Sequence, residues 1–521
     1  MKKYISFILG ILLAIGIQVK GQSYRPTPLL DIETVEAEKF HPPKDFGHRT
    51  PVLVGESEFE NFLIEEVFSY DEVEKHLWVQ TINNGDLVIY FRQPEHSPSR
   101  VLRIRIAIPG IKQTGTLWSH SYNSRSSYAA DPIHANYESS LFEKVAKLRS
   151  GVSVLEFGEG SRSLFISRPG KFINKPVSLL QRVDEPSETH IIANDKELII
   201  TIDFKETGDE FEEGLIIASS DRLVAMGYER SMDPLYVSDF NRIKFLRLNG
   251  WWYTTRPGDY EGSEIDCYYK NPGFYPSSKH LKWYCDTYNR LFYDIVMSTM
   301  KTAIVESPES GIVRMEVVPL MFKRWYGLEK NYIDTRFATD GARFLANCAS
   351  AYGSKQAYEK SILLAKLYQD MSISIGTKIG DGVFLPDYIQ DKDSEKPIHT
   401  SLNHALCEVN YLLEIAKLHD DKLSLNLANA ILLAIDETCD SWIRPNGDLW
   451  YAYFPETGEF KLDDYEDLTY NDLVETQQLH REMLGCSRLS IQKLINTKNE
   501  YRESIKKDRE EDASNGEKGS Y

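Results

Sequence analysis

Hydrophobic positions along this chain change their period once. From about residue 51 to 245, apolar residues alternate with polar ones in short runs separated by turn residues, as in half-buried strands. The run from His76 to Phe91 alternates on both sides of Asn83-Asn84-Gly85-Asp86, which predicts a tight hairpin. The same logic pairs Val152–Phe157 with Ser163–Ser167, His190–Ala193 with Leu198–Phe204, and Leu215–Ser219 with Leu223–Gly227, and Val101–Ile108 adds a strand. Beyond about 280 the apolar residues recur at three- and four-residue steps. Helices are predicted over His280–Ala303, Asp334–Tyr352, Lys355–Ile375 and Asp472–Leu484, with two more after Thr400 joined by His419-Asp420-Asp421. Such short joints force antiparallel neighbours. Strands followed by helices imply two domains and not a βαβ fold. The expectation is an N-terminal antiparallel β-sandwich or barrel over 51–245 and an (α/α) toroid-like helical domain over 281–490.

The remaining segments read differently. Lys2 and Lys3 precede an apolar run from Ile5 to Ile17, with Gly21 shortly after. That run is shorter than the roughly 18–20 residues a membrane-spanning helix needs, so residues 1–21 are predicted to be a cleaved signal peptide. A periplasmic or secreted location follows. Residues 22–50, with Pro26, Pro28, Pro42 and Pro43, read as an extended leader, 246–280 as an aromatic-rich linker, and 491–521 as a charged tail. No later segment reads as a membrane span.

Composition sharpens this picture in two places. The 521 residues include 30 Tyr and 8 Trp, side chains whose broad apolar faces and polar tips suit both packing and stacking on pyranose rings. The formal net charge of −18 argues against nucleic acid, which needs basic surface, but leaves room for an anionic polysaccharide met by a few local Arg residues. Of the six cysteines none forms a C-x-x-C pair, and no metal or cofactor motif stands out. Cys267 and Cys285 flank an aromatic loop and are candidates for a disulfide; Cys348, Cys407 and Cys439 lie in apolar stripes and read as buried thiols.

Candidate chemistry gathers in three blocks. Trp251 and Trp252 in a Gly/Pro loop, with Arg256 nearby, read either as a stacking platform or as a plug between domains. Asp334 reads as a helix N-cap. Arg336, Asp340 and Arg343 share one helix side, as exposed ion pairs or, in a cleft, as a guanidinium fork for a sugar carboxylate. Asn403 and His404 fall in a first helical turn with Glu408 one turn on, followed by Tyr451 and Tyr453 in a hairpin and Tyr470 before the last core helix. Each has a bland reading as cap, core or turn.

The order Ser401-Leu402-Asn403, an apolar helix pair, Asn446-Gly447-Asp448-Leu449-Trp450-Tyr451, and Tyr470 through Gln478-Leu479 resembles the C-terminal domain of glucuronyl C5-epimerases. The resemblance covers about the last 150 residues before the charged tail. It implies a β domain followed by an (α/α) toroid, with catalytic acid/base roles for Tyr451 (or Trp450) and Tyr470. Here Asn471 follows Tyr470 where the family carries His, and the family's second His has no counterpart. The expected function is therefore an exported enzyme acting on a uronic-acid polysaccharide by proton abstraction at C5, epimerase-like or lyase-like. Catalysis is assigned to Tyr470, Tyr451 and His404, and substrate binding to Asn403, Arg336, Asp340, Trp251, Trp252 and Tyr453, without a cofactor. The alternatives are a glycoside hydrolase with paired carboxylates, drawn from Asp340, Asp387, Glu408, Asp463 and Asp464, and a non-catalytic glycan-binding protein.

Overall fold

Alternating apolar residues do build strands through the first half of the chain, and their turn residues set the register. The computed structural model describes residues 52–517 apart from 69–76, 108–114, 121–137, 225–243, 256–259, 262–266, 307–311 and some shorter stretches. The predicted signal peptide, the leader, Arg256 and the second half of the Leu223–Gly227 arm lie outside the described residues. Leu77–Thr81 pairs with Leu87–Gln93 across the Asn-Asn-Gly-Asp turn, and Gly85 takes a φ of 87° there. Val152–Phe157 pairs with Arg162–Lys175, and Glu188–Ala193 with Glu197–Phe204, as the turns predicted. Leu223 departs from its expected strand. Its N–H donates to the Ser163 hydroxyl oxygen at 2.7 Å and its carbonyl accepts from Leu291 N, which turns it toward the helices.

Two antiparallel sheets result. One runs Val52–Phe59, Phe62–Phe68, Arg100–Ala107, Glu197–Phe204, Glu188–Ala193, Val145–Lys147 from edge to edge. The larger one centres on the long strand Arg162–Lys175, which keeps Glu210–Ser219 as its partner on one edge through a register shift between Ser167 and Gly170, and on the other edge passes from Val152–Phe157 to Leu179–Val183. Leu87, Ile89, Phe91, Leu164 and Ile166 of the larger sheet share one apolar cluster with Leu198, Ile200 and Ile202 of the smaller. Gly214 is required in that layer, because a Cβ there would come within 2.2 Å of the Phe91 ring.

The opposite face of the larger sheet carries Val88, Tyr90, Phe165, Phe172 and Leu215. It packs on helices α1 (Tyr275–Thr287) and α2 (Arg290–Glu306). The sequence period suggested one helix here. Tyr288, with φ 56°, ends α1 and Asn289 precedes α2; the apolar stripe continues because both helices face the same cluster. Polar contacts fix the docking. Arg290 of α2 pairs with the buried Asp86 and donates to the Asn84 carbonyl at 2.7 Å, and Asn84 Nδ2 donates to Asp294 at 2.8 Å.

The expected linker is part of this body. Trp252–Thr255 and Cys267–Lys270 are strands of the larger sheet, joined to Leu179–Val183. Trp251 stacks on Phe274 at 4.5 Å under the Lys270 ammonium, and Trp252 stacks on His280 and donates from Nε1 to Ser277. Both indoles are fully buried, so neither has a ring face open to a sugar, and their place is the plug between sheet and helices. Cys267 is buried in its strand while Cys285 is exposed on α1, and no disulfide joins them.

The helical half follows the predicted stripes. It comprises α3 (Leu320–Tyr326), α4 (Thr335–Tyr352), α5 (Lys355–Ser361), α6 (Leu363–Ser374), α7 (Leu402–His419), α8 (Lys422–Glu437), α9 (Leu468–Leu484) and α10 (Leu489–Glu517). The predicted Lys355–Ile375 helix is broken at Ile362. Arg336, in the first turn of α4, reaches Asn403 in the first turn of α7 and Asp472 of α9. Two turns further, Arg343 reaches Glu414 of α7 and Glu475 of α9. These three helices therefore run in the same direction, and α7 lies buried among its neighbours with Leu406, Val409 and Leu413 in a common core. Among the described residues, no helix is long and apolar enough to cross a membrane. The charged C-terminal segment is helix α10 through Glu517, not a tail. Ile491 and Leu494 are buried, and the fully buried Lys498 pairs with Asp448 at 2.6 Å and Asp464 at 2.8 Å.

Candidate functional site

Because α4, α7 and α9 run the same way, their N-terminal turns meet at one end, where a buried polar cluster forms around Asp387. This residue follows the short strand Gly382–Phe384. Its N–H donates to the His399 carbonyl at 3.0 Å, and its carbonyl accepts from Thr335 N at the head of α4 at 2.9 Å. Its carboxylate accepts from Ser401 N at 2.7 Å and Ser401 Oγ at 2.6 Å. Ser401 is the residue before α7, and its hydroxyl makes no capping bond because it is committed to Asp387.

Two imidazoles complete the shell. His399 Nε2 lies 3.3 Å from Asp387 Oδ2, and its Nδ1 is 2.8 Å from the Tyr326 hydroxyl. His404 Nδ1 lies 2.9 Å from Thr335 Oγ1 and 3.7 Å from Asp387 Oδ1, which leaves Nε2 as the ring nitrogen for other work. Burial pushes the His404 imidazole down to about 4, against the pull of Asp387, so it is uncharged at neutral pH. Burial would raise Asp387, but the neighbouring imidazoles and the Ser401 donors hold it below the usual carboxylate range. With His404 neutral, the two Ser401 bonds are the constant part of that support.

Around this core stand tyrosines and further carboxyls. Tyr451, in the strand Trp450–Phe454, packs 5.9 Å from the His399 ring, edge-on to Tyr465 at 5.8 Å, and beside the Ser401 hydroxyl. Burial, and then the Asp387 charge, push its phenol well above the usual range, so it holds its proton. Tyr388 sets its ring edge-on to both His399 and His404. Asp334 does cap α4, accepting from Phe337 N, and burial pushes its carboxyl up to about 7. Asn403 is buried with its Oδ1 unpartnered.

The structure brings His404, Asn403, Tyr451 and Arg336 to this end of the helices. Arg336 forks onto Asp472, with a second contact at 3.1 Å, and donates to the Asn403 carbonyl, so its guanidinium is committed internally; Asp340 lies 3.8 Å from it. Tyr453 packs on Phe384 and Phe460 in the core. Tyr470 lies on α9 under the Arg502 guanidinium of α10 and makes no described contact with the cluster. Sequence reading undervalued Asp387, His399, Thr335, Tyr388 and Tyr465. A Pro-Asp-Tyr segment and a His-Thr-Ser before an apolar helix were the available signals. Among the described residues, no group of three His, Cys, Asp or Glu is arranged to hold a metal ion.

No family model matches this chain, and no curated protein matches it. Among solved structures it is similar to cellobiose 2-epimerase from Bacillus thermoamylovorans, at 14% identity and a TM-score of 0.34, covering 44% of this chain and 58% of that one. It is also similar to a family 76 glycoside hydrolase from a bovine Bacteroides thetaiotaomicron strain, at 9% identity and a TM-score of 0.34, covering 82% and 77%. A third is a polysaccharide lyase at 9% identity and a TM-score of 0.26, covering 86% and 72%. The chain spans under two thirds of the first of these.

Proposed function

We propose that the protein is an exported carbohydrate-active enzyme that removes the C5 proton of a uronic acid unit in a polysaccharide, leading to epimerisation or β-elimination. The observation that carries this reading is the uncharged His404 held beside an ionised Asp387, next to the protonated Tyr451. His404 Nε2 is the base, and Asp387 steadies the imidazolium as it forms. Tyr451 is the acid, which returns a proton to C5 or gives one to the leaving oxygen. The Asn403 amide supplies a neutral donor to the carboxylate, where negative charge builds. Arg336 supports the site by fixing the Asn403 turn rather than by gripping substrate. The Lys2-Lys3 start and the following apolar run support export.

A second reading has its own observation. Asp334 is raised and Asp387 lowered, the kind of split a hydrolase uses for acid and base. Against it, both Asp387 oxygens already face Ser401 and the two imidazoles, so this carboxylate orients its neighbours and has no free oxygen to activate water. The test is incubation with uronic-acid polysaccharides in heavy water. C5 deuterium without cleavage indicates epimerisation, new unsaturated ends indicate elimination, and reducing ends alone would replace this proposal with the hydrolase. Tyr451→Phe and His404→Gln should each lower turnover roughly a hundred- to ten-thousandfold while the protein stays folded. Variants that turn over at the wild-type rate would remove these roles.

A further inference from the structure

A file of rings crosses the candidate site and emerges at both ends. Trp325 meets Phe454 edge-on at 6.1 Å, Phe454 stacks on His399 at 5.3 Å, His399 meets Tyr451 at 5.9 Å, and Tyr451 meets Tyr465 at 5.8 Å. The middle is recessed, with His399 at 0% and Tyr451 at 9% exposure, whereas Trp325 is 37% and Tyr465 53% exposed. Among the described residues, the exposed aromatics are Tyr288, Trp325, Tyr358 and Tyr465. Tyr358 is stacked on His419 at 3.9 Å and Tyr288 sits at the α1–α2 turn, so the two that touch the site's own rings are Trp325 and Tyr465.

We propose that Trp325 and Tyr465 are stacking platforms for sugar units on either side of the reacting one, so that the substrate is a chain of several units and not a single sugar. This rests on the reading of the site given above. Both rings are held in advance. Trp325 lies on α3 between Phe322 and Tyr326, and Tyr465 follows Asp464, which is fastened by Lys498 and by the Thr469 hydroxyl at 2.6 Å. A fixed aromatic face gives up little freedom on binding, which is where such contacts gain affinity.

The test is calorimetric titration of the full chain with size-fractionated oligosaccharides of unsulfated chondroitin and of alginate, from disaccharide to octasaccharide. For at least one series, affinity is expected to rise with length. Trp325→Ala and Tyr465→Ala should each weaken the octasaccharide about tenfold and leave the disaccharide unchanged, while Tyr465→Phe and the control Tyr358→Ala should bind as wild type. Length-independent affinity, no binding by either series, or alanine variants at wild-type affinity would overturn the proposal. The heavy-water assay decides the chemistry separately. Length-dependent binding without deuterium or cleavage would leave the platforms and remove the proton-abstraction reading, and deuterium uptake with unaffected variants would do the reverse.

Discussion

At the scale of single residues, the head of the helices makes stability depend on pH in two opposing senses. Asp334 is pushed by burial to about 7 and Asp472 to about 6, both from an ordinary 3.8. Between the ordinary and the folded values, the folded chain keeps protons that the unfolded chain has lost, so these groups lower stability as pH rises. His404 works the other way. Its folded value of about 4 lies below the ordinary 6.5, so the unfolded chain binds the extra proton and stability rises with pH over that window. The effects oppose one another between about 4 and 6.5; above that the Asp334 contribution remains, with the buried Glu408, which burial also raises, acting in the same sense, and stability should fall toward pH 7.5. Asp334→Asn keeps a good N-cap and removes the titration. Relative to wild type it should therefore gain stability between pH 5 and 8, by at most about 4 kcal/mol. Urea unfolding at pH 5, 6.5 and 8 reads this directly, and a difference that stays constant with pH would rule out Asp334 as the titrating group.

At the scale of elements, the site depends on long-range fastening. Lys498 of α10 lies fully buried between Asp448, in the turn after Arg444, and Asp464, beside Tyr465. Replacing it with Met leaves two carboxylates in the interior without their cation and should cost roughly 3–5 kcal/mol. Denaturant unfolding measures the loss, and limited proteolysis should show the 463–467 loop cut first; a Lys498→Met protein as stable as wild type would show the triad to be dispensable. The same long range explains what the sequence made legible. Hairpins at Asn84-Gly85 and the cap at Asp334 were readable because turn and cap chemistry are local. The helix stripes were readable because their period is local too. Asp387 was not, since its partners Thr335, His399, Ser401 and His404 become neighbours only when α4 and α7 lie side by side. For Trp251 and Trp252 platform and plug stay open in the sequence, because the strand that decides between them pairs by way of Cys267–Lys270 with Leu179–Val183, far upstream. Helix α10 read as a solvated tail because the acids that answer its Lys498, Arg502 and Arg509 sit on a distant loop.

At the scale of the whole molecule, sheet and helices are not independent modules joined by a flexible linker. The larger sheet is buried on both faces, by the smaller sheet on one side and by α1 and α2 on the other. Its helix-facing side carries large rings, Phe165, Phe172, Phe211, Trp251 and Trp252, and shares one apolar cluster with Leu291, Ile295 and Phe344. Neither half could expose that surface alone without losing the apolar burial that is the main favourable term in folding. Buried polar docking reinforces the coupling, because parting Arg290 from Asp86 leaves an unpaired charge on an apolar face. The described body should therefore unfold in one cooperative transition. Tryptophan fluorescence sums Trp251 and Trp252 at the sheet–helix boundary with the six other indoles and reports loss of side-chain packing, while far-ultraviolet circular dichroism reports strands and helices together. The two signals should share one midpoint in urea. Arg290→Met should move that common midpoint down without splitting it, since the charge left on Asp86 weakens the joint that both halves need. Two separated transitions in wild type, with fluorescence leading, would mean that the apolar joint contributes little and that the helices carrying the candidate site can stand without the sheets.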